Sequence, residues 1–430
     1  MARIAVVDLI FNWPPNGGSM VDVYETCNRL QGMGHEVKLF VPGFESMFPR
    51  GRILGDPGFE FERIPFNRLS FNYRTAPRRF RAAVDRFRPD EVFLTDGFMM
   101  RPHIARALWA YPQVWRSFSY EILCARNSLV DTRLDYTCPN HLFRDQQRCV
   151  QCFKDHIGFK KTFIKLALNL PYRRGALFMF HEFWFAMAHK PEFVKLFEQC
   201  LRRARAIVVL NNLQKSIYDE YNDKVIVCPI GVNEIFQPRP RPPRADGKKV
   251  ILMTGRANDP VKGYEILLRA CRLLWKKRQD FELQVTLVDF NEWRRIPFLK
   301  RLGWYTQEQL PELYAQADIV CMPSYWEEAF GIVAVEAMAS GKPIVACRVA
   351  GPLDTVVPGV TGVLVRPRDP YDLYRKLNVL LDHPNLCRRM GEAGIERVNE
   401  YYRWGGIMQR CYRPLFGGNS VGSNGDKELV

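Results

Sequence analysis

One segment, Phe236-Gln-Pro-Arg-Pro-Arg-Pro-Pro-Arg-Ala-Asp-Gly247, divides the chain into two stretches in which β-rich runs alternate with helical periodicity. Four prolines so close together cannot continue a helix or an interior strand, so the spacing predicts a semi-rigid linker over 236–248. Before it, Arg3 to Ile10 reads as a strand and Pro14-Pro15-Asn16-Gly17-Gly18 breaks it. Met20, Val23, Tyr24, Cys27 and Leu30 then recur at helical spacing, and Glu36 to Val41 is a second strand. A βαβ unit this short makes its strands parallel. A basic helix near Arg78–Arg88 and strands at 91–95, 113–117, 206–210 and 224–228 extend the pattern around a long insertion at 120–200. After the linker the alternation resumes: strands at 249–254, 281–288, 318–322 and 343–347, helices at 263–278, 307–316 and 331–340. The expectation is an α/β protein: an N-terminal Rossmann-like domain at 1–235, a second one at 249–402, and a ligand cleft at the carboxyl ends of their strands.

Composition narrows the partners. At 47% hydrophobic residues the 430-residue chain can bury large cores, and no run of about 20 apolar residues offers a bilayer-spanning helix. Met1-Ala2-Arg3 leads straight into a strand, unlike a secretory leader, so a cytoplasmic protein is expected. Residues 101–300 hold 35 Lys+Arg against 19 Asp+Glu, which accounts for the whole net charge of +16. Such a basic middle suits an anionic partner (nucleotide phosphates, nucleic acid or acidic lipid), or else a set of solvated helix faces. Of twelve cysteines, Cys124, Cys138, Cys149 and Cys152 cluster around one C-x-x-C pair. Four thiols could hold a structural zinc that pins an irregular loop; a reducible disulfide or free thiols are the alternatives.

Two loops carry the chemistry. Asp318 to Met322 is a strand, Pro323 stops it, and a helix starts near Gly331, so Ser324–Phe330 lies at a strand's carboxyl end with a helix N-terminus behind it. Glu328 precedes that helix. Glu336 lies about 7–8 Å further along at 1.5 Å per residue, inside the apolar run Ile332–Ala339. Two carboxylates so spaced can accept from hydroxyls at opposite ends of one elongated ligand. The second loop, Gly255-Arg256-Ala-Asn-Asp-Pro-Val-Lys262-Gly263, follows the strand Val250–Thr254 and offers a guanidinium and an ammonium as a diphosphate clamp.

Together these motifs resemble the family-4 retaining glycosyltransferases of the GT-B fold, which include sucrose synthases and phosphatidylinositol mannosyltransferases. The likeness runs the length of the chain and is strongest over 250–370. E-A-F-G-I-V-A-V-E followed by A-M-A-S-G-K-P-I-V-A matches the family's paired-glutamate motif, and G-R-A-N-D-P-V-K-G its diphosphate loop. The resemblance implies two Rossmann-like domains with a deep cleft between them. It also implies a C-terminal helix at 403–416 crossing back to the first domain; the tail at 417–430 is rich in Gly, Ser and Asn, a composition that predicts disorder. Glu336 would then bind the ribose hydroxyls of a nucleoside-diphosphate sugar. Glu328 would bind the sugar, with the backbone amides of Phe330, Gly331 and Ile332, while Arg256 and Lys262 neutralise the diphosphate and Gly18 admits it to the N-terminal loop. No metal is expected in catalysis. The family's N-domain histidine has no counterpart in Arg116-Ser-Phe-Ser119-Tyr120-Glu121.

The function expected is transfer of a sugar, with retention, to a glycan or lipid-linked acceptor. The alternative is a non-catalytic basic protein, binding membrane or nucleic acid, on the same scaffold. No base-stacking motif points to nucleic acid, and the first loop lacks the G-x-G-x-x-G of dinucleotide enzymes. Lys160, Lys161, Lys165, Arg173 and Arg174 interleave with Phe159, Phe163, Tyr172, Phe178, Phe180, Phe183, Trp184 and Phe185. That pattern fits either an anionic membrane surface, placing the protein peripherally on the inner face, or a helical subdomain burying its rings.

Overall fold

The structure is a computed structural model. It describes residues 1–417 apart from 16, 45–49, 68, 121–122, 125–128, 132–135, 157–170, 173–189, 243 and 287–295. The chain divides into two compact units, Met1–Cys228 with the segment from Met408 onward, and Pro229–Ile407.

In the first unit, β1 (Arg3–Val7), β2 (Glu36–Gly43), β3 (Glu60–Pro65), β4 (Glu91–Leu94) and β5 (Gln113–Arg116) precede the insertion. The insertion carries a two-stranded antiparallel ladder of β6 (Val130–Asp131) and β7 (Tyr136–Thr137), then helices Gln146–His156 and Pro191–Arg203. β8 (Ala206–Val209) and β9 (Val225–Val227) complete a parallel sheet in the order β3-β2-β1-β4-β5-β8-β9. Near-continuous apolar runs such as Ile4–Val7 and Ala206–Val209 are fully buried, as strands covered on both faces must be.

Arg116, at the end of β5, is buried in this unit. Its Nε and Nη2 donate to the two carboxylate oxygens of Asp22, both at 3.1 Å, and its Nη1 donates to the Cys228 carbonyl at 2.6 Å. The segment read as departing from the family's histidine therefore carries a structural ion pair joining helix Gly18–Gly32 to the end of β9. The C-terminal segment packs on the same unit. The Tyr412 and Phe416 rings meet Phe93 edge-on, and the Thr26 hydroxyl bonds the Tyr412 hydroxyl at 3.3 Å.

The second unit holds β10 (Lys249–Met253), β11 (Phe281–Thr286), β12 (Leu299–Leu302), β13 (Ile319–Met322), β14 (Ile344–Cys347) and β15 (Gly362–Val365). Their parallel order, β12-β11-β10-β13-β14-β15, is the doubly wound pattern whose direction of winding reverses between β10 and β13. Helix Tyr264–Trp275 buries Leu267, Leu268, Cys271 and Leu274 on one stripe against Ile251, Leu283 and Val285. Helix Pro370–Asp382 starts with proline after Asp369, whose carboxylate caps the Tyr371 and Asp372 amides at 2.9 Å.

The unit boundaries fall at Cys228 and Ile407, and packing explains both. Arg403 donates to the carbonyls of Asn233 and Phe236, Val232 pairs with the Tyr402 carbonyl, and a Cβ on Gly231 would strike the Trp404 ring. The proline segment is held to the second unit as well. Arg241 bonds Asp318 at 2.7 Å, Arg244 bonds Glu282 at 3.1 Å, and Arg239 pairs with Glu312. No helix among the described residues is long and apolar enough to cross a membrane.

Candidate active site

The reversal of winding in the second unit brings the two loops of interest side by side, because one follows β10 and the other follows β13. The first loop opens at Gly255, in the left-handed region at φ 101°. The Thr286 hydroxyl bonds both its amide (2.9 Å) and its carbonyl (3.1 Å). It then tightens into a 3-10 turn, Pro260–Lys262, capped by the Asp259 side chain. Gly263 follows at φ 79°, and a Cβ there would run into the Pro323 carbonyl. The Tyr325 amide donates to the Val261 carbonyl at 3.0 Å. Glycine at 263 is what lets the two loops lie this close.

That contact delivers Lys262 to Glu328: Nζ lies 2.7 Å from a carboxylate oxygen. The Trp326 indole N–H donates to the same carboxylate at 2.8 Å, and the Lys262 ammonium sits 4.9 Å from the Trp326 ring centroid. Lys262 and Glu328, read from sequence as contacts to different parts of a ligand, are partners of each other here. Arg256 stands apart. Its side chain is 66% exposed, its guanidinium is 4.0 Å from Asp259, and it bonds neither Glu328 nor Glu336.

The Glu328 loop is pinned from behind. The Gly351 amide donates to the Glu328 carbonyl at 2.7 Å and the Ala350 amide to the Glu327 carboxylate at 2.8 Å. A Cβ on Gly351 would come within 2.6 Å of the Phe330 carbonyl. Helix Ile332–Ala339 then starts from Gly331, left-handed at φ 80°, where a Cβ would meet Met322 Cε at 2.7 Å. Phe330 and Gly331 are buried and Ile332 is half-buried, so the amides named from sequence lie at this helix start.

Glu336 is buried at 2% exposure inside that helix, accepting from the Tyr314 hydroxyl at 2.8 Å and the Gln307 amide at 3.3 Å. Burial pushes its pKa up to about 7, with the bonds from Tyr314 and Gln307 opposing the rise. The Tyr314 hydroxyl also contacts the Thr254 hydroxyl at 3.2 Å, tying Glu336 to the end of β10. Tyr314, Gln307 and Trp326 were not singled out from sequence. Tyr314 falls in the helix read at 307–316 and Trp326 in the loop 324–330, but nothing local marks them as partners of residues 22 and 2 positions away.

Gly18 belongs to the first unit, where it opens helix Gly18–Gly32 after an extended Gly17. In that unit the reversal of winding lies between β1 and β4 and is filled by Asp8. Its carboxylate accepts from the amides of Ile10 (2.8 Å) and Phe11 (2.7 Å), the Thr95 hydroxyl (2.7 Å) and the Asp96 amide (3.2 Å). Burial, then the charge of Asp96, pushes the Asp8 carboxyl up to about 6.

Cys124, Cys138, Cys149 and Cys152 are half-buried thiols, none in a disulfide. The Cys149 thiol is pushed up to about 12, first by burial and then by the charges of the other three, so the four do gather. Among the described residues, however, no group of three or more His, Cys, Asp or Glu is placed to hold a metal ion. Within this loop Asn140 Nδ2 donates to Cys149 Sγ (3.2 Å) and the Leu142 amide to the Leu123 carbonyl (2.9 Å). Of the interleaved aromatics, Tyr172 is described, its hydroxyl 2.6 Å from His103 Nε2. Phe159, Phe163, Phe178, Phe180, Phe183, Trp184 and Phe185, the five basic residues beside them and the tail beyond 417 lie outside the described residues.

Comparison with known proteins defines the class through the fold. Sucrose-phosphate synthase from Thermosynechococcus elongatus superposes with a TM-score of 0.67 over 97% of this chain and 100% of that one, at 19% identity. The Anabaena protein Alr3699/HepE, solved in complex with UDP-glucose, does so at 0.61 over 96% and 99%, at 15% identity. The fold is that of the GT-B glycosyltransferases. Residues 248–383 match the family of glycosyl transferases group 1 (Glyco_trans_1_4). D-inositol 3-phosphate glycosyltransferase of Corynebacterium kroppenstedtii is 36% identical over 168 residues, 35% of this chain and 37% of the relative, so the chain spans less than half of that protein's length. Residues 248–383 thus carry a glycosyl transferases group 1 domain, within a chain whose fold is that of the GT-B glycosyltransferases.

Proposed function

We propose that the chain transfers a hexosyl group from a nucleoside-diphosphate sugar to a glycan or lipid-linked acceptor, with retention and without a metal. The observation that carries this is the Lys262–Glu328–Trp326 cluster ahead of helix Ile332–Ala339, at the reversal of winding, with Glu336 buried inside the same helix. In this reading Glu336 accepts from the two ribose hydroxyls, and its burial excludes competing water. Lys262, Arg256 and the start of helix Ile332–Ala339 face the diphosphate, and Glu328, held by Trp326, accepts from the sugar hydroxyls. Exposed Arg256 is free to swing onto the phosphates once they bind.

The bond from the sugar's anomeric carbon to the β-phosphate oxygen breaks, its electron pair staying on phosphate. The acceptor oxygen forms the new bond from the same face, and its proton passes to the departing phosphate oxygen. Fixed cations at that oxygen stabilise the charge that develops there, the work a divalent ion does elsewhere. The absence of an Asp-x-Asp pair from the sequence is in keeping with this.

The test is a panel of sugar nucleotides screened for thermal shift and turnover, with anomeric configuration of the product read by NMR and EDTA added to a parallel series. Lys262→Ala is expected to lower turnover about 100-fold or more, the scale of losing a charge-assisted contact of about 3 kcal/mol. An inverted product, or activity abolished by EDTA, overturns the corresponding part of the reading.

The glycine contact gives a second expectation. Gly263→Ala must adopt a left-handed backbone and push the Pro323 carbonyl away, at a cost of about 1–3 kcal/mol. Urea unfolding should register that loss, and donor affinity should fall at least tenfold as the two loops separate. Gly359→Ala, at φ 81° with open space around it, serves as a control that costs only the backbone conformation.

A further inference from the structure

A cavity of about 180 Å³ lies at the opposite end of the second unit's sheet from Glu336, beside the residues that begin β10, β13 and β14. Arg241, Lys249, Lys342 and Arg388 line it, with Asp318 as the single acid. Asp318 is already engaged, accepting from Arg241 at 2.7 Å and from the Val250 amide at 2.7 Å. Among the described residues, neither lysine forms an ion pair with a carboxylate. Lys249 donates to the Leu381 carbonyl, and Lys342 donates to the Ala315 carbonyl at 3.1 Å. An ammonium carries three donors, so each keeps donor capacity beyond that single bond. Burial holds the Lys342 amine below its usual range, with Asp318 opposing, as for a cation short of nearby negative charge. On the rim, exposed Arg388 pairs with Glu392 at 2.8 Å, one turn along its own helix.

We propose that this cavity binds a small, multiply charged oxyanion of the phosphate class, at a site separate from the Lys262–Glu328–Glu336 group. Arg241 and Arg388 are paired with Asp318 and Glu392, so the positive character of the cavity comes from the two lysine ammonium groups, and carbonyls are weak partners for ammonium compared with an anionic oxygen. Pockets for drug-sized ligands run to roughly 300–1,000 Å³, so this one suits a phosphate rather than a nucleotide. The site needs nothing from the glycosyl-transfer reading and could serve as a place where phosphate bears on the stability of the second unit.

The experiment is a phosphate titration of the full-length protein at constant ionic strength, balanced with sodium chloride, read by thermal melts and by hydrogen exchange. Inorganic phosphate is expected to raise the melting temperature saturably and to protect amides at 315–318 and 384–388. Lys249→Gln/Lys342→Gln should weaken this response at least tenfold, while Lys262→Gln leaves it intact. Should the double variant misfold, Arg241→Gln and Arg388→Gln, both altering exposed side chains, are each expected to shift the phosphate midpoint several-fold. A response that does not saturate, matches chloride, survives in the double variant or in both single ones, or disappears in Lys262→Gln overturns the proposal.

Discussion

Asp22→Ala is expected to destabilise the first unit by about 3–5 kcal/mol, because it leaves the Arg116 guanidinium buried without its counter-ion. Neither side chain reaches solvent, at 0% exposure for Arg116 and 1% for Asp22, so water cannot replace the lost carboxylate. Burial pulls the Asp22 carboxyl towards its neutral form and Arg116 pulls it back. The two-point geometry at 3.1 Å is that of an ionised pair. Calorimetry should show the first unit's transition falling by about 10 °C while the second unit's stays within a degree or two. Asp22→Leu combined with Arg116→Leu should recover most of the loss, since apolar replacement of both partners removes the desolvation cost along with the attraction. If the single variant melted like the parent, this pair would not be what joins helix Gly18–Gly32 to the end of β9.

Arg116 also shows where reading the sequence stops. Its segment is legible as a strand from the apolar character of Val114 and Trp115, yet nothing nearby reveals that its partner is Asp22, 94 positions earlier. The interior strands of both sheets were readable because strands buried on both faces must be apolar throughout. β3, β12 and β15 were not, and all three are edges. Glu60 and Glu62 of β3 point to Lys38 at 2.7 and 3.5 Å, and β12 reads Leu-Lys-Arg-Leu, so charge masks the pattern where one side of the strand meets water. At the site, Glu328 and Glu336 stood out because an acid in or beside an apolar helix start is anomalous within a few residues. The pairing of Lys262 with Glu328 depends on a left-handed Gly263 lying against Pro323, a contact made only once β10 and β13 are neighbours. The four cysteines are legible as a cluster, since Cys149 feels the charges of the other three, but spacing alone does not say what the cluster does.

The exchange of stability for binding at Glu336 supplies the second large effect. Its carboxyl titrates near 7 when folded against an ordinary 4.5, so the folded state holds its proton more tightly than the unfolded chain does. The stability this gives is complete below about pH 4.5 and is lost as pH rises through about 7, an upper bound near 3 kcal/mol at 1.36 kcal/mol per unit. Glu336→Gln removes that penalty and can keep an amide bonded to Tyr314. At pH 8 the variant's second unit is therefore expected to be more stable than the parent's, by about 1–3 kcal/mol, with no gain at pH 4.5. Binding has the opposite sign. Hydroxyls that donate to Glu336 favour its ionised form, so donor affinity should rise with pH through about 7, by up to tenfold per unit below it, beyond any dependence left in Glu336→Gln. The same substitution should weaken a nucleoside diphosphate by about two orders of magnitude at pH 8, as expected when hydrogen bonds to a charged acceptor worth about 1.5–3 kcal/mol each are reduced to neutral ones. Calorimetric titration of both proteins from pH 5.5 to 8.5, alongside urea unfolding, reads both quantities. A variant that gained stability and kept its affinity would show that Glu336 is a buried acid with no ligand to serve, and the assignment of the donor to this helix would fall with it.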